Sequence, residues 1–529
     1  MATPKLIPIS QIITKQAREI LAEHSANELI FAVVGHVGSG TSEIARSLKS
    51  ILESKALPGG PYETEVIKAS DRIREWAKRE GEAVPALTKT LTSVSRLQDL
   101  GDKMRQADQS AIARALVKTI RLTRAKKQGI KVADDGPIKP DGKRRAYILE
   151  SIRHPAEVHL LRSVYGSSFT LIGIVCEQST RLNRLHEKYS DAGNRNAQEF
   201  MERDAKAPQD YGQKVLDAFH LSDYFVDNSV DRIEEDTSSN ELWTINEDLG
   251  RLVKVITHSD IVRPTIGETA MFEAQGAALR SACLSRQVGA CVIDVNGNVV
   301  ATGTNEVPVA GGGLYGESFE PVQVDGRCAY YGDRIYCRNT EEQNEIVKEI
   351  VDEVFKQFPP LRKQSKEALQ SLLRRSRIGG LLEFSRAVHA EMDALLTAAR
   401  KGVSSVGTRM WVTTFPCHYC ARHIVGAGVD EVQFIEPYPK SKALDLHPDS
   451  ITLNHQGWIP PSKGGSKVLF HPFTGVAPNL YKRAFMKDRE LKNNETGLAR
   501  IGAPEWGSPW DLRRISYVEI EAELVKGCN

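Results

Sequence analysis

Three metal-binding donors, spread over two segments that must meet in space, constrain this chain more than any other feature. Val388-His389-Ala390-Glu391 is followed by Pro416-Cys417-His418-Tyr419-Cys420. One imidazole and two thiolates suit zinc, with a fourth tetrahedral position left open for water in a hydrolytic site. The spacing dictates local structure. His389 and Glu391 belong at the start of one helix, and Met410-Trp411-Val412-Thr413-Thr414 reads as a strand that delivers Pro416 and Cys417. Cys417 and Cys420 then lie one turn apart at the N-terminus of the next helix, where the helix dipole favours thiolate. Zinc held by His389, Cys417 and Cys420 activates water, and Glu391 is placed to move its proton. The alternative is a closed structural zinc knuckle, which would take His418 or His423 as its fourth ligand.

The chain has 529 residues, more than one core accommodates, so two domains of roughly 150–250 residues are expected. With 41% hydrophobic and 26% charged residues it reads as soluble and globular. Seventy basic residues against 68 acidic argue against a bulk polyanion binder. The N-terminus lacks the apolar run of a signal peptide, and no stretch reaches the ~18 apolar residues of a membrane span, so a cytoplasmic location is expected. Eight cysteines are sparse at this length, and in a reducing compartment a close pair binds metal more readily than it forms a disulfide.

In the first half, Leu29-Ile30-Phe31-Ala32-Val33-Val34 is a buried-strand run that feeds into Gly35-His36-Val37-Gly38-Ser39-Gly40-Thr41-Ser42. A helix follows with Ile44, Ala45, Leu48, Ile51 and Leu52 on one face. Strand, glycine-rich turn and helix is the setting of a phosphate-binding loop, whose backbone N–H groups converge on an anion. The frame is Gly-x-x-x-x-Gly-x-Ser, and Thr41 stands where the loop's lysine belongs. That lysine stabilises phosphoryl transfer. Three readings stay open: nucleotide binding without turnover at Gly35, Gly38, Ser39, Gly40, Thr41 and Ser42; a ligand-free turn; and a working kinase. Further strands are expected at 147–153, carrying the carboxylate of Glu150, and at 169–175, before the arginine-bearing stretch 178–185. Phe200-Met201-Glu202-Arg203-Asp204 and residues 223–228 resemble the lid helix and last strand of small nucleotide kinases. Residues 98–105 fall where such kinases build an acceptor pocket, with a solvated helix start as the alternative. The basic run from Arg121 to Lys131 reads either as a solvated face or as an RNA contact.

In the second half, Thr257 to Thr265 reads as a linker, with a helix expected from about Thr269 to Ser285. Val288 to Asp294 and Asn298 to Gly303 form a hairpin about Asn296-Gly297, followed by Asn305 and Pro308. This order of elements resembles cytidine and deoxycytidylate deaminases, and His-x-Glu…Pro-Cys-x-x-Cys is the signature of zinc base deaminases. Ser285-Arg286-Gln287-Val288-Gly289-Ala290 and Gly303-Thr304-Asn305 match the deoxycytidylate branch. The resemblance implies that Asn305 holds the sugar hydroxyl, that Arg286 meets phosphate and that Phe470 to Pro478 finishes the pocket. An insertion at about 306–380 carries Cys328 and Cys337, read either as part of a second zinc site or as a plain solvated excursion.

As a whole the chain resembles the bacterial anti-phage dCTP deaminases. The fold expected is α/β: a P-loop kinase-like parallel-sheet domain at 1–255, a linker at 256–268, and a cytidine-deaminase-like α/β/α domain at 269–529. The resemblance implies zinc-dependent conversion of dCTP, dCMP or both to the deoxyuridine nucleotide and ammonia, draining dCTP during phage infection. It also implies a regulatory nucleotide at the P-loop, an inhibitory small RNA, a homo-oligomer such as a hexamer, and no membrane partner. Other readings are a polynucleotide cytosine deaminase, a housekeeping regulated dCMP deaminase and a non-catalytic nucleotide sensor.

Overall fold

Eight consecutive buried residues, Glu28–Gly35, form strand β1 at the heart of the first of two six-stranded sheets. The computed structural model describes residues 26–131, 137–232, 240–316, 326–327, 336–363, 365–380, 384–438, 440–487, 492–498, 518 and 521. The chain divides into one unit of Met1–Arg263 with Thr474–Asn529 and another of Pro264–Phe473.

In the first unit, β1 lies between β3 (Arg145–Ile152) and β4 (Phe169–Val175), with β2 (Glu63–Lys68) beyond β3 and β5 (Tyr224–Asp227) beyond β4. These five strands are parallel. Alternate residues of β1 enter opposite cores, as strand geometry requires. Ile30, Ala32 and Val34 pack with Leu116, Val117 and Ile120, while Leu29, Phe31 and Val33 pack with Ile44, Leu48 and Leu252. The β1-β3 register shifts after Val33, and Ser151 there takes φ 72°. A non-glycine residue in the left-handed region stores strain, and this one sits beside the glycine-rich loop.

The division differs from the one expected. Later in the chain Gly475–Val476, the twelfth strand, pairs antiparallel with β5, and the helix Pro478–Phe485 buries Leu480 and Ala484 against the first unit's core. The second domain therefore ends near Phe473, not at 529. The helix Ile245–Thr257 also extends into the expected linker, and the next helix begins at Ile266. The basic run is divided: Arg121 and Arg124 are buried, while Lys126 and Lys131 are exposed as a solvated face requires. Arg124 holds Glu28 at 2.7 Å and Glu521 at 2.6 Å, and the Tyr165 hydroxyl donates to Glu521 at 2.7 Å. The C-terminal segment thus supplies a carboxylate that the buried guanidinium requires.

His36 gives the first unit a pH dependence. Burial, reinforced by Arg181 and Arg153, pushes its imidazole down to about 3. In the unfolded chain it titrates near 6.5, so in acid the unfolded state takes a proton that the folded state refuses. Stability is therefore complete above about pH 6.5 and falls as pH decreases, by up to ~1.4 kcal/mol per unit. Urea midpoints of wild type and His36→Asn between pH 7 and 5 should show the steeper decline in wild type; parallel profiles would refute this.

In the second unit, β6 (Gly289–Ile293) and β7 (Val299–Thr304) form the expected hairpin, with Gly297 at φ 86° and Asp294 accepting from the N–H groups of Asn296 and Asn298. The other strands are β8 (Arg409–Thr414), β9 (Glu431–Glu436), β10 (Ile451–Thr452) and β11 (Val468–Pro472), in the order β10-β11-β9-β8-β6-β7. β8 to β11 run parallel, and the hairpin strand β6 is antiparallel to β8. The first helix, Ile266–Ala278, starts earlier and ends sooner than expected. A capping box of Thr265 and Glu268 fixes its start. Past its end, the Gln287 side chain donates to the Ser281 carbonyl and the Ser281 hydroxyl to the Asn305 carbonyl, tying 281–287 into a loop. Gly289 and Gly303 occupy neighbouring rungs of the hairpin, so their missing side chains face opposite sides of the sheet. One receives the helix Ile266–Ala278 and the other the helix Ala390–Arg400, each in backbone contact. The unit is a sheet between helical layers. Among the described residues, no helix is long and apolar enough to cross a membrane.

Candidate active site and glycine-rich loop

His389 is the N-cap of the helix Ala390–Arg400, and Glu391 lies buried in its first turn. Cys417 is the N-cap of His418–Gly426, which follows β8, and Cys420 is one turn on. The Sγ atoms of Cys417 and Cys420 lie 3.3 and 3.4 Å from His389 Nδ1. All three donor atoms fall within 4.8 Å of one another. They form the one such cluster of three or more His, Cys, Asp or Glu among the described residues. Neither His418 nor His423 belongs to it: His423 Nδ1 contacts the Tyr419 carbonyl at 2.6 Å, and the His418 ring stacks on Tyr419. The arrangement is three-ligand and open, unlike a closed knuckle.

The electrostatics fit a cation. A hydrogen bond from Cys420, with help from His389, lowers the Cys417 thiol to about 4, while the same Cys417 contact and burial push Cys420 up. The bond to Cys417 raises His389 to about 9. Burial lifts Glu391 to about 7, and the negative charge of Cys417 adds to the rise. Two sulfurs and an imidazole competing for protons in a buried pocket are the donor set that one zinc ion satisfies.

The cluster forms one end of a cavity of about 300 Å³. Asn305 lines it, but both ends of its amide engage backbone: Oδ1 accepts from the Val288 N–H at 2.7 Å, and Nδ2 donates to the Arg286 carbonyl at 2.7 Å. It thereby fixes the loop that carries Arg286. The Arg286 guanidinium reaches Glu436 at 2.8 Å and lies 5.5 Å from the Tyr438 ring centre. The expectation for Phe470 to Pro478 is corrected. Phe470 and Phe473 are buried, and none of the segment lines the cavity. Phe415 and Tyr438 supply aromatic walls instead. Both follow the carboxyl ends of parallel strands, a place where α/β sheets bind ligands, so strand order could have located them. The insertion is not a plain excursion either, since Cys337 and Arg338, at the start of the helix Arg338–Gln357, reach the cavity. Cys328 lies outside the described residues, so the second-zinc pair is not described.

In the first unit, Gly38 and Gly40 adopt φ 83° and 88°, and the loop enters the helix Thr41–Leu52. Ser42 donates to Glu150, and Lys68 Nζ lies 3.9 Å from the same carboxylate. Thr41 Oγ1 sits 3.5 Å from Ser151 Oγ. Three buried polar atoms near the loop, His36 Nδ1, Ser39 Oγ and Arg181 Nε, have no hydrogen-bond partner, although His36 Nδ1 lies 3.9 Å from the Asp204 carboxylate.

The fold and the metal cluster define a zinc-dependent deaminase. Residues 264–436 match the cytidine and deoxycytidylate deaminase zinc-binding region. The deoxycytidylate deaminase of Enterobacteria phage T4 is 29% identical over 164 residues, 31% of this chain and 73% of the phage enzyme. That of phage T2 is 30% identical over 167 residues, 31% of this chain and 75% of the phage enzyme. A solved dCMP deaminase from cyanophage S-TIM5 covers 40% of this chain and 100% of its own, at 18% identity and a TM-score of 0.21. The chain belongs to the deoxycytidylate deaminase family.

Proposed function

We propose that the chain hydrolyses the exocyclic amine of deoxycytidine nucleotides, dCMP and dCTP, and that this drains dCTP as a defence against phage. The observation that carries the reading is the open His389, Cys417 and Cys420 cluster with buried Glu391 at the end of a nucleotide-sized cavity. Zinc held by these three residues supplies the Lewis acidity that activates water. As the water oxygen adds to C4 of cytosine, Glu391 carries its first proton to the ring nitrogen; it then carries the second proton, from the new C4 hydroxyl, to the exocyclic amine, so that ammonia leaves as the C4–N bond breaks and the carbonyl forms. Its proton affinity suits both tasks, because burial holds the carboxyl near 7. Asn305 and the loop it fixes receive the sugar, and Arg286 the first phosphate. Phe415 and Tyr438 close around the base and exclude bulk water.

Incubating purified protein with dCTP, dCMP, CTP and single-stranded DNA tests this directly. Ammonia release from a deoxynucleotide is expected. Turnover of the polynucleotide alone would favour an editing enzyme, and turnover of dCMP alone a housekeeping one.

We further propose that the glycine-rich loop binds a regulatory nucleotide without kinase turnover, through Gly35, Gly38, Ser39, Gly40, Thr41 and Ser42. The left-handed glycines and the unpartnered polar atoms around the loop support this. Ser42→Ala should weaken magnesium-nucleotide binding by roughly tenfold, the loss of one hydroxyl at a metal. Unchanged affinity by calorimetry would leave the loop as an empty turn. A cytoplasmic homo-oligomer such as a hexamer, silenced by a small RNA, completes the reading; light scattering with and without RNase treatment examines both.

A further inference from the structure

The stretch that ends β7 holds two parts of the cavity lining at once. Toward the metal donors, the Thr304 N–H donates to Asp393 of the helix Ala390–Arg400 at 3.1 Å, and the Glu306 carbonyl accepts from the N–H of Val388, the residue before His389, at 3.0 Å. Toward the other side it carries the loop 281–287, which brings Cys283, Ser285 and Arg286 to the cavity. Asn305 holds the far end of that loop through Arg286 and Val288. The near end is held by Glu306, whose Oε2 accepts from the Ala282 N–H at 2.8 Å while Oε1 accepts from the Val307 N–H at 2.9 Å. The Ser281 hydroxyl adds its bond to the Asn305 carbonyl at 2.7 Å. Glu306 is only 2% exposed and does not line the cavity. A carboxyl group is costly to bury unless donors meet it, and an apolar side chain would fill the space without that cost but could not hold Ala282.

We infer that Glu306 is a positioning residue of the deaminase: without touching substrate, it sets the distance between the loop 281–287 and the metal ligand His389. This rests on the deaminase reading above. Reaction requires the amine-bearing carbon to stand roughly 3–3.5 Å from the attacking oxygen, and a misplacement of about 1 Å costs on the order of 100-fold. A loop freed at Ala282 lets the nucleotide shift while the metal donors stay in place. They stay because the bond to Val388 comes from the Glu306 backbone and survives loss of the side chain.

The test uses the full-length protein as wild type, Glu306→Gln and Ser281→Ala, loaded with zinc for kinetics and with cobalt(II) for absorption spectroscopy of the metal site. Glutamine keeps the shape of the side chain, but its amide nitrogen cannot accept, so one of the two backbone N–H groups loses its partner. Per bound zinc, Glu306→Gln should lower kcat for dCMP by about 10- to 100-fold, with zinc stoichiometry and the resting cobalt bands at wild-type values. Ser281→Ala removes only one hydroxyl of the same tie; it should act in the same direction by a smaller factor, and it carries the test if Glu306→Gln does not fold. A kcat per zinc equal to wild type would reduce these bonds to a staple for stability and overturn the inference. Lost zinc or shifted cobalt bands would also overturn it, because the defect would then lie in the metal site itself. A wild type that releases no ammonia from dCMP would instead overturn the deaminase reading, and the inference with it.

Discussion

Glu391→Gln should lower kcat for deamination by roughly 10²–10⁴-fold, the range that a positioned proton-transfer group contributes. Zinc stoichiometry should stay close to wild type. Glutamine preserves the shape of the side chain in the first turn of the Ala390–Arg400 helix and cannot carry a proton between water and the cytosine ring. Folding should survive, because the carboxyl is buried and costly to ionise, and replacing it with a neutral amide removes that cost. Ammonia release and metal analysis on the same preparation separate the two roles. Loss of zinc together with activity would make Glu391 a ligand and not a proton carrier.

The metal cluster was legible in the sequence because its geometry is local. His389 with Glu391, and Cys417 with Cys420, each sit within one helical turn, and only the β8 crossover had to be inferred to bring them together. β1 was equally plain, since an unbroken apolar run buried on both faces has few other homes. What escaped depends on contacts distant in sequence. The twelfth strand, Gly475–Val476, has only two residues and no periodicity; its pairing with β5 is visible only in space. Arg124 reads as one more member of a basic run until Glu28 and Glu521 close on it. Arg338 lies in a charged insertion without a motif, and nothing near it in sequence places its side chain at the cavity. Asn305 shows a subtler limit. Its position was found by resemblance, yet its bonds to Val288 and Arg286 make it a brace for the loop as well as a candidate contact for the sugar.

The same separation between local pattern and tertiary demand sets the second large effect, at Gly303. A Cβ added there would lie 2.1 Å from the Ala390 carbonyl oxygen and 2.3 Å from the Ala394 nitrogen. Both are backbone atoms of the helix whose N-cap is His389, so no side chain can swing away. Relief requires moving that helix off the sheet, which carries His389 and Glu391 away from Cys417 and Cys420. Gly303→Ala should therefore destabilise the protein by about 3 kcal/mol or more, the upper end of the usual cost of overpacking, and weaken zinc binding with it. Gly276 offers the internal contrast. It lies in the helix Ile266–Ala278 with nothing within 4 Å of its added Cβ, so Gly276→Ala should stabilise by up to ~1 kcal/mol through helix propensity alone. Urea unfolding and zinc titration of both variants measure the difference. A Gly303→Ala protein with wild-type stability and zinc affinity would mean that the sheet and the metal-bearing helix are not in the close backbone contact on which the site depends.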